Sequence, residues 1–108
     1  MRHSTFLLAV AAAGLLAAPA WATDYPLTID NCGVALTFEK PPQRVVAIKS
    51  TAAELLLALG LEDKIVGLAF LDGPLPEPFS ASTYPVLSEK LPSQEVVLET
   101  EPTLVYGG

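Results

Sequence analysis

Histidine and cysteine are almost absent from this chain, and both shortages narrow its chemistry. The single histidine is His3 and the single cysteine is Cys32. Once the first residues are removed, no imidazole remains for general-base catalysis, a catalytic triad or a metal site. One cysteine permits neither an internal disulfide nor a CxxC redox or zinc motif. Basic residues are scarce too. Of six lysines and arginines one is Arg2, which leaves Lys40, Arg44, Lys49, Lys64 and Lys90 against twelve acids, a net charge of −7 beyond residue 22. With no basic stripe to neutralise phosphates, a nucleic-acid partner is disfavoured. Long apolar runs are also missing: the one extended run, residues 6–18, stops at Pro19, too short to span a bilayer.

What the start of the chain does hold is an address. Arg2 and His3 give a positive opening, the apolar run follows, and Ala20-Trp21-Ala22 places small residues at both cleavage positions. This predicts a signal peptide over residues 1–22, cut between Ala22 and Thr23, and hence a periplasmic location. Residues 23–108 then form the mature part. That length supports one small α/β unit, which buries too little apolar surface to be comfortably stable alone.

Along that part, residues 25–30 and 34–38 are β-prone runs around Asn31-Cys32-Gly33, a hairpin whose turn uses Asn and Gly for unusual backbone angles. Pro41-Pro42 separates it from residues 44–67, RVVAIKSTAAELLLALGLEDKIVG, which read as strand, capped amphipathic helix, helix stop and strand. Residues 44–48 are apolar after the arginine, as in a parallel strand covered on both faces. Thr51 and Glu54 have capping-box spacing, and Ala52, Leu55, Leu56 and Leu59 mark one helical face. Gly60 fits the left-handed position of a Schellman stop with Leu61 folding back on Leu56. Residues 64–69 form the second strand of a right-handed βαβ unit. Residues 70–85, rich in proline, read as a surface loop. Ser93 caps a short helix through about Glu99, Pro102 ends it, and residues 103–106 are a third strand. The fold class is α/β, a Rossmann-like lobe with a parallel sheet preceded by a β-hairpin.

Ligands of open parallel sheets bind beyond the carboxyl ends of the strands, where helix N-termini also point. Those positions are Lys49, Ser50 and Thr51 after the first strand, Phe70, Leu71 and Asp72 after the second, and Tyr106 and Gly107 after the third. The amides at the Thr51 helix start and the Lys49 ammonium make an anion seat; equally, Ser50 and Thr51 are caps and Lys49 a solvated side chain. Phe70, Tyr84 and Tyr106 offer flat apolar surface to a large cyclic ligand, or pack the lobe's own core. Asp72 and Glu77 suit a metal less than they suit solubility.

The wording of residues 44–67, together with LPSQEVVLETEPTLVYGG at residues 91–108, resembles the N-terminal lobe of the periplasmic substrate-binding proteins that serve ABC importers of iron-siderophores, haem and corrinoids. The resemblance implies a ligand-capturing component with no enzyme activity and no cofactor, partnered by an ABC permease with its ATPase. It implies that Glu95, within SQE before EPTLV, lies on the outer tip of the lobe and pairs with permease arginines; its residue-level alternative is an ordinary first-turn glutamate facing the helix dipole. It implies a second lobe, joined by a long helix, that closes the ligand cleft. On that basis the chain is expected to be a cut-short fragment that holds its ligand weakly and, as residues 23–108 alone, is partly molten or aggregates. Some relatives pair the cysteine at the Cys32 position with one later in the chain, and lipid-anchored relatives carry one after the apolar run; neither partner exists here. A sub-branch with similar KSTAAELLLALGLED and LDGPLPE wording suggests a deazaflavin precursor as another ligand. A different class of reading is a small exported adaptor or inhibitor acting through its surface.

Overall fold

A computed structural model describes residues 22–108, so the signal-peptide segment before Ala22 lies outside the described residues; Ala22 and Thr23 are exposed at their start. The chain opens with a hairpin of β1 (Leu27–Asn31) and β2 (Val34–Phe38), paired antiparallel with Asn31 opposite Val34. Both turn residues take positive φ, 54° at Cys32 and 80° at Gly33, as a two-residue type I′ connection requires. The unusual angles fall on Cys32 and Gly33, not on Asn31, which is still in the ladder. The Asp30 carboxylate accepts from Gly33 N–H at 2.9 Å. β1 starts at Leu27 rather than at Tyr25 because Pro26 has no N–H for the ladder.

The rest is one parallel sheet in the order β5-β4-β3-β6. Its strands are β3 (Val45–Ile48), β4 (Ile65–Ala69), β5 (Val86–Ser88) and β6 (Leu104–Gly107), and the helices are α1 (Ser50–Ala58) and α2 (Gln94–Glu99). β3, buried throughout except at Ile48, lies in the centre. β5 interrupts what the sequence presents as a featureless stretch between β4 and α2. Three residues are too few to show a period, and the strand is held from outside: Leu68 N–H donates to Pro85 O and Phe70 N–H to Ser88 O, both at 2.9 Å. Gly67 matches it from β4, since a Cβ there would stand 2.9 Å from Leu87 Cδ1.

β3, β4 and β6 each start one residue later than expected, and β6 runs on to Gly107. Thr103 Oγ1 accepts from Gln43 N–H and Arg44 N–H and donates to Arg44 O, so these residues form a side-chain clasp below the ladder. Arg44 goes further, donating from Nε and Nη2 to the carbonyls of Thr100 and Glu101. A cation thus closes the carbonyl end of α2, where the helix dipole favours one. Ser93 caps the other end, accepting from Val96 N–H at 3.3 Å.

α1 packs across β3, with Ala52, Ala53, Leu56 and Leu57 in a core shared with Val45, Ala47, Ile65 and Leu68. This corrects the expected face: Leu55 and Leu59 are exposed, at 44% and 63%. From Ala52 to Leu59 only Glu54 is polar, so a 3.6-residue period fits two adjoining faces equally. The small Ala52–Ala53 pair decides it by letting the helix approach the sheet. The stop is as expected: Leu61 N–H donates to Leu56 O and Gly60 N–H to Leu57 O, both at 3.0 Å, with Gly60 at φ 74°, the paired bonds of a Schellman motif.

Candidate functional site

The strand order reverses at β3. The chain steps from β3 to β4 to β5 on one side and then crosses to place β6 on the other. In open parallel sheets, ligands bind outside the carboxyl ends of the strands flanking such a reversal. The segments that meet there are Lys49 with the start of α1 after β3 and Gly107–Gly108 at the end of β6, with Phe70–Gly73 after β4 alongside. Gly108 was not singled out by sequence. A Cβ on it would lie 3.1 Å from Thr51 Oγ1, so the end of β6 runs close beside the start of α1.

Two neighbouring residues at this end hold strained backbones. Lys49, the residue before α1, has φ 78° and ψ 153°, and Phe70, the residue after β4, has φ 51°. Side chains larger than hydrogen disfavour both regions, and such outliers concentrate at active sites and ligand clamps. Each is held by the adjacent strand: Lys49 N–H donates to Ala69 O and Phe70 N–H to Ser88 O, both at 2.9 Å. The two side chains meet, with Lys49 Nζ 5.7 Å from the Phe70 ring centroid, within range of a cation–π contact.

The start of α1 differs from its expected capping box. Lys49 occupies the N-cap position with no side-chain cap, and Thr51 is an exposed residue within the first turn. The cap comes from a distant loop: the Asp72 carboxylate accepts from Ser50 N–H at 3.3 Å. Ser50 is 5% exposed, and its hydroxyl accepts from the amides of Asp72 and Gly73, at 3.0 and 2.9 Å, while donating to Gly73 O at 3.0 Å. Ser50 therefore positions the Asp72 loop, and its hydroxyl is occupied by that loop. The Asp72 carboxyl is held below its ordinary value, first by the Ser50 hydroxyl, then by the Ser50 amide and its own backbone, with Lys49 adding a little and desolvation opposing. The seat read for an external anion thus already holds an internal one.

Tyr106 shares the β6 face of Leu104, which packs on the core, and is itself 36% exposed. Tyr84 is not part of this end. It lies two residues before β5, packed on the core, where burial, Glu62 and Asp63 raise its phenol. Parallel strands put that position at the opposite end of the sheet. Glu95 is exposed in the first turn of α2, a surface feature separate from the Lys49–Asp72 group. No group of three or more metal-ligating side chains occurs among the described residues.

No family model matches the chain. It is 35% identical over 88 residues to the cobalamin-binding protein of Halobacterium salinarum, an alignment covering 78% of this chain and 23% of that protein. Two solved structures share the fold. One is a periplasmic binding protein from Veillonella parvula, with a TM-score of 0.62 and 29% identity, over 75% of this chain and 29% of the other. The second is an ABC-type Fe3+-hydroxamate transport system from Saccharomonospora viridis, with a TM-score of 0.56 and 36% identity, over 76% and 32%. The chain spans less than a third of the length of each. In sequence and in fold, then, it matches part of a periplasmic substrate-binding protein.

Proposed function

We propose that this chain supplies a ligand-contacting lobe of the substrate-binding component of an ABC importer, which captures an iron-siderophore or a corrinoid in the periplasm and passes it to the permease. The observation that carries this reading is the convergence of Lys49 and Phe70, both strained, with Asp72 at the strand reversal of a lobe similar to a cobalamin-binding protein and an Fe3+-hydroxamate transport system. Binding clefts for such bulky cargo are mainly apolar, with a few placed polar groups. The ring of Phe70 and the exposed part of Tyr106 supply the apolar patch. Lys49, Thr51 and Asp72 supply the polar points, and Ser50 fixes the loop behind them.

On this reading the activity is binding and not catalysis. One lobe buries one side of a cargo molecule, so micromolar affinity requires a second wall. Glu95, exposed beside the α2 cap, is the point of contact with permease cations, where a rim charge guides encounter and register. The test is genetic and biochemical together. Deleting the gene should abolish uptake of radiolabelled cobalamin or of a ferric hydroxamate, and the tagged protein should retain permease from detergent extracts. Unchanged uptake of both cargoes, with no permease retained, would remove the reading.

A further inference from the structure

The charge of the candidate face narrows the cargo further, an inference that rests on the importer reading and refines it. Among the loop residues after β3, β4 and β6, Lys49 is the only base. Its ammonium lies over the Phe70 ring and close enough to Asp72 to favour that carboxylate. Arg44, the only arginine in residues 22–108, is committed at the far end of the sheet to the carbonyls of Thr100 and Glu101. Lys64 is there too, donating to Gln43 Oε1. Lys90 follows the carboxyl end of the edge strand β5, at the same end of the sheet, where the neighbouring Glu89 offsets its charge.

The first amide of α1, where a helix dipole would otherwise draw an anionic ligand, is taken by Asp72 at 3.3 Å. Asp72 is itself exposed, so an incoming anion meets its charge directly.

We infer that Asp72 sets the charge class of the cargo: with the first amide of α1 taken by the chain's own carboxylate and Lys49 balancing it, this face accepts a neutral or cationic chelate and turns away a multiply anionic one. A tris-hydroxamate complex or a corrinoid fits that description. A trianionic tris-catecholate complex does not, because it would bring several negative charges to a face with no surplus cation.

The experiment is ligand-observed NMR on the full chain at low micromolar concentration, with the chelate in large excess so that weak binding is read. Gallium complexes replace iron, because they are diamagnetic and keep the same charge. The cationic tris-hydroxamate of desferrioxamine should show saturable line broadening, and the tris-catecholate should bind at least about tenfold more weakly. Asp72→Asn keeps an acceptor for Ser50 N–H while removing the charge. It should strengthen tris-catecholate binding roughly five- to tenfold, as one partly solvated unit charge at contact range allows, and weaken the cationic complex by a similar factor. Lys49→Gln should move both affinities the other way, which keeps the test valid if one variant folds poorly. Wild-type binding of tris-catecholate as tight as that of the hydroxamate overturns the inference, as does a ratio unmoved by Asp72→Asn. So does binding of neither complex while the uptake result stands. Each of these leaves the importer reading intact, whereas failure of the uptake arm removes that reading.

Discussion

Ser50→Ala tests the internal cap, and its size follows from the bonds the hydroxyl makes. Ser50 Oγ accepts from Asp72 N–H at 3.0 Å and Gly73 N–H at 2.9 Å, and donates to Gly73 O at 3.0 Å. A neutral hydrogen bond contributes a net ~1 kcal/mol, and a buried group left unpaired costs more. Gly73 is only half-buried and Asp72 is exposed, so water replaces part of what is lost. A local cost of about 1–3 kcal/mol follows, which corresponds to roughly five- to 150-fold faster opening of the loop. Amide hydrogen exchange read by mass spectrometry measures this at Asp72 and Gly73, with β3 and β4 as internal controls.

A pH series adds a signed check. The folded carboxyl of Asp72 titrates below its ordinary value of 3.8. Its contribution is therefore present above that value and is lost as pH falls through the lower folded one. Ser50→Ala removes the first cause of the shift, so wild type should lose protection over that acid range while the variant, already lacking it, changes less. An acceleration under about twofold at neutral pH would refute the cap, and equal acceleration across β3 and β4 would show general destabilisation instead.

Four further outcomes are expected. Thr51→Ala should change stability in urea by less than about 0.5 kcal/mol, as for an uncapped surface position, whereas a capping box in use would cost ~1 kcal/mol. Gly67→Ala should destabilise by about 1–3 kcal/mol through its 2.9 Å approach to Leu87 Cδ1; adding Leu87→Ala should recover part of the loss, and no recovery would place the clash elsewhere. Glu95→Arg should leave chelate binding unchanged and weaken permease retention, while an equal loss of both would put Glu95 inside the lobe. Mass spectrometry of periplasmic protein should find an N-terminus at Thr23, and Ala22→Phe should slow processing because the cleavage position takes only small side chains; intact Met1 in the membrane fraction would overturn the leader.

What the sequence determined by itself is what depends on neighbours within about one helical turn. The Gly60 stop is of this kind, since its left-handed φ and the bond from Leu61 to Leu56 are local. So are the Ser93 cap and the break at Pro102. The central parallel pair was legible because a continuous apolar strand, a helix and a second strand admit few arrangements. Their wording also carried the resemblance that the comparisons bear out.

Tertiary structure alone decided the rest, and in each case the deciding partner is far along the chain. β5 exists because β4 supplies its hydrogen bonds, and Gly67 leaves room for Leu87. Helix α1 chose Ala53 and Leu57 over Leu55 and Leu59 because contact with β3, not periodicity, separates two equally apolar faces. The site shows the same division. Sequence named Lys49, Thr51, Phe70, Asp72 and Tyr106 from their places at strand ends. It could not show that Asp72, twenty-two residues beyond Ser50, closes the helix that Thr51 was expected to cap. A cap needs only one acceptor at the right distance, and which residue provides it is fixed by how the two loops meet once the sheet has formed.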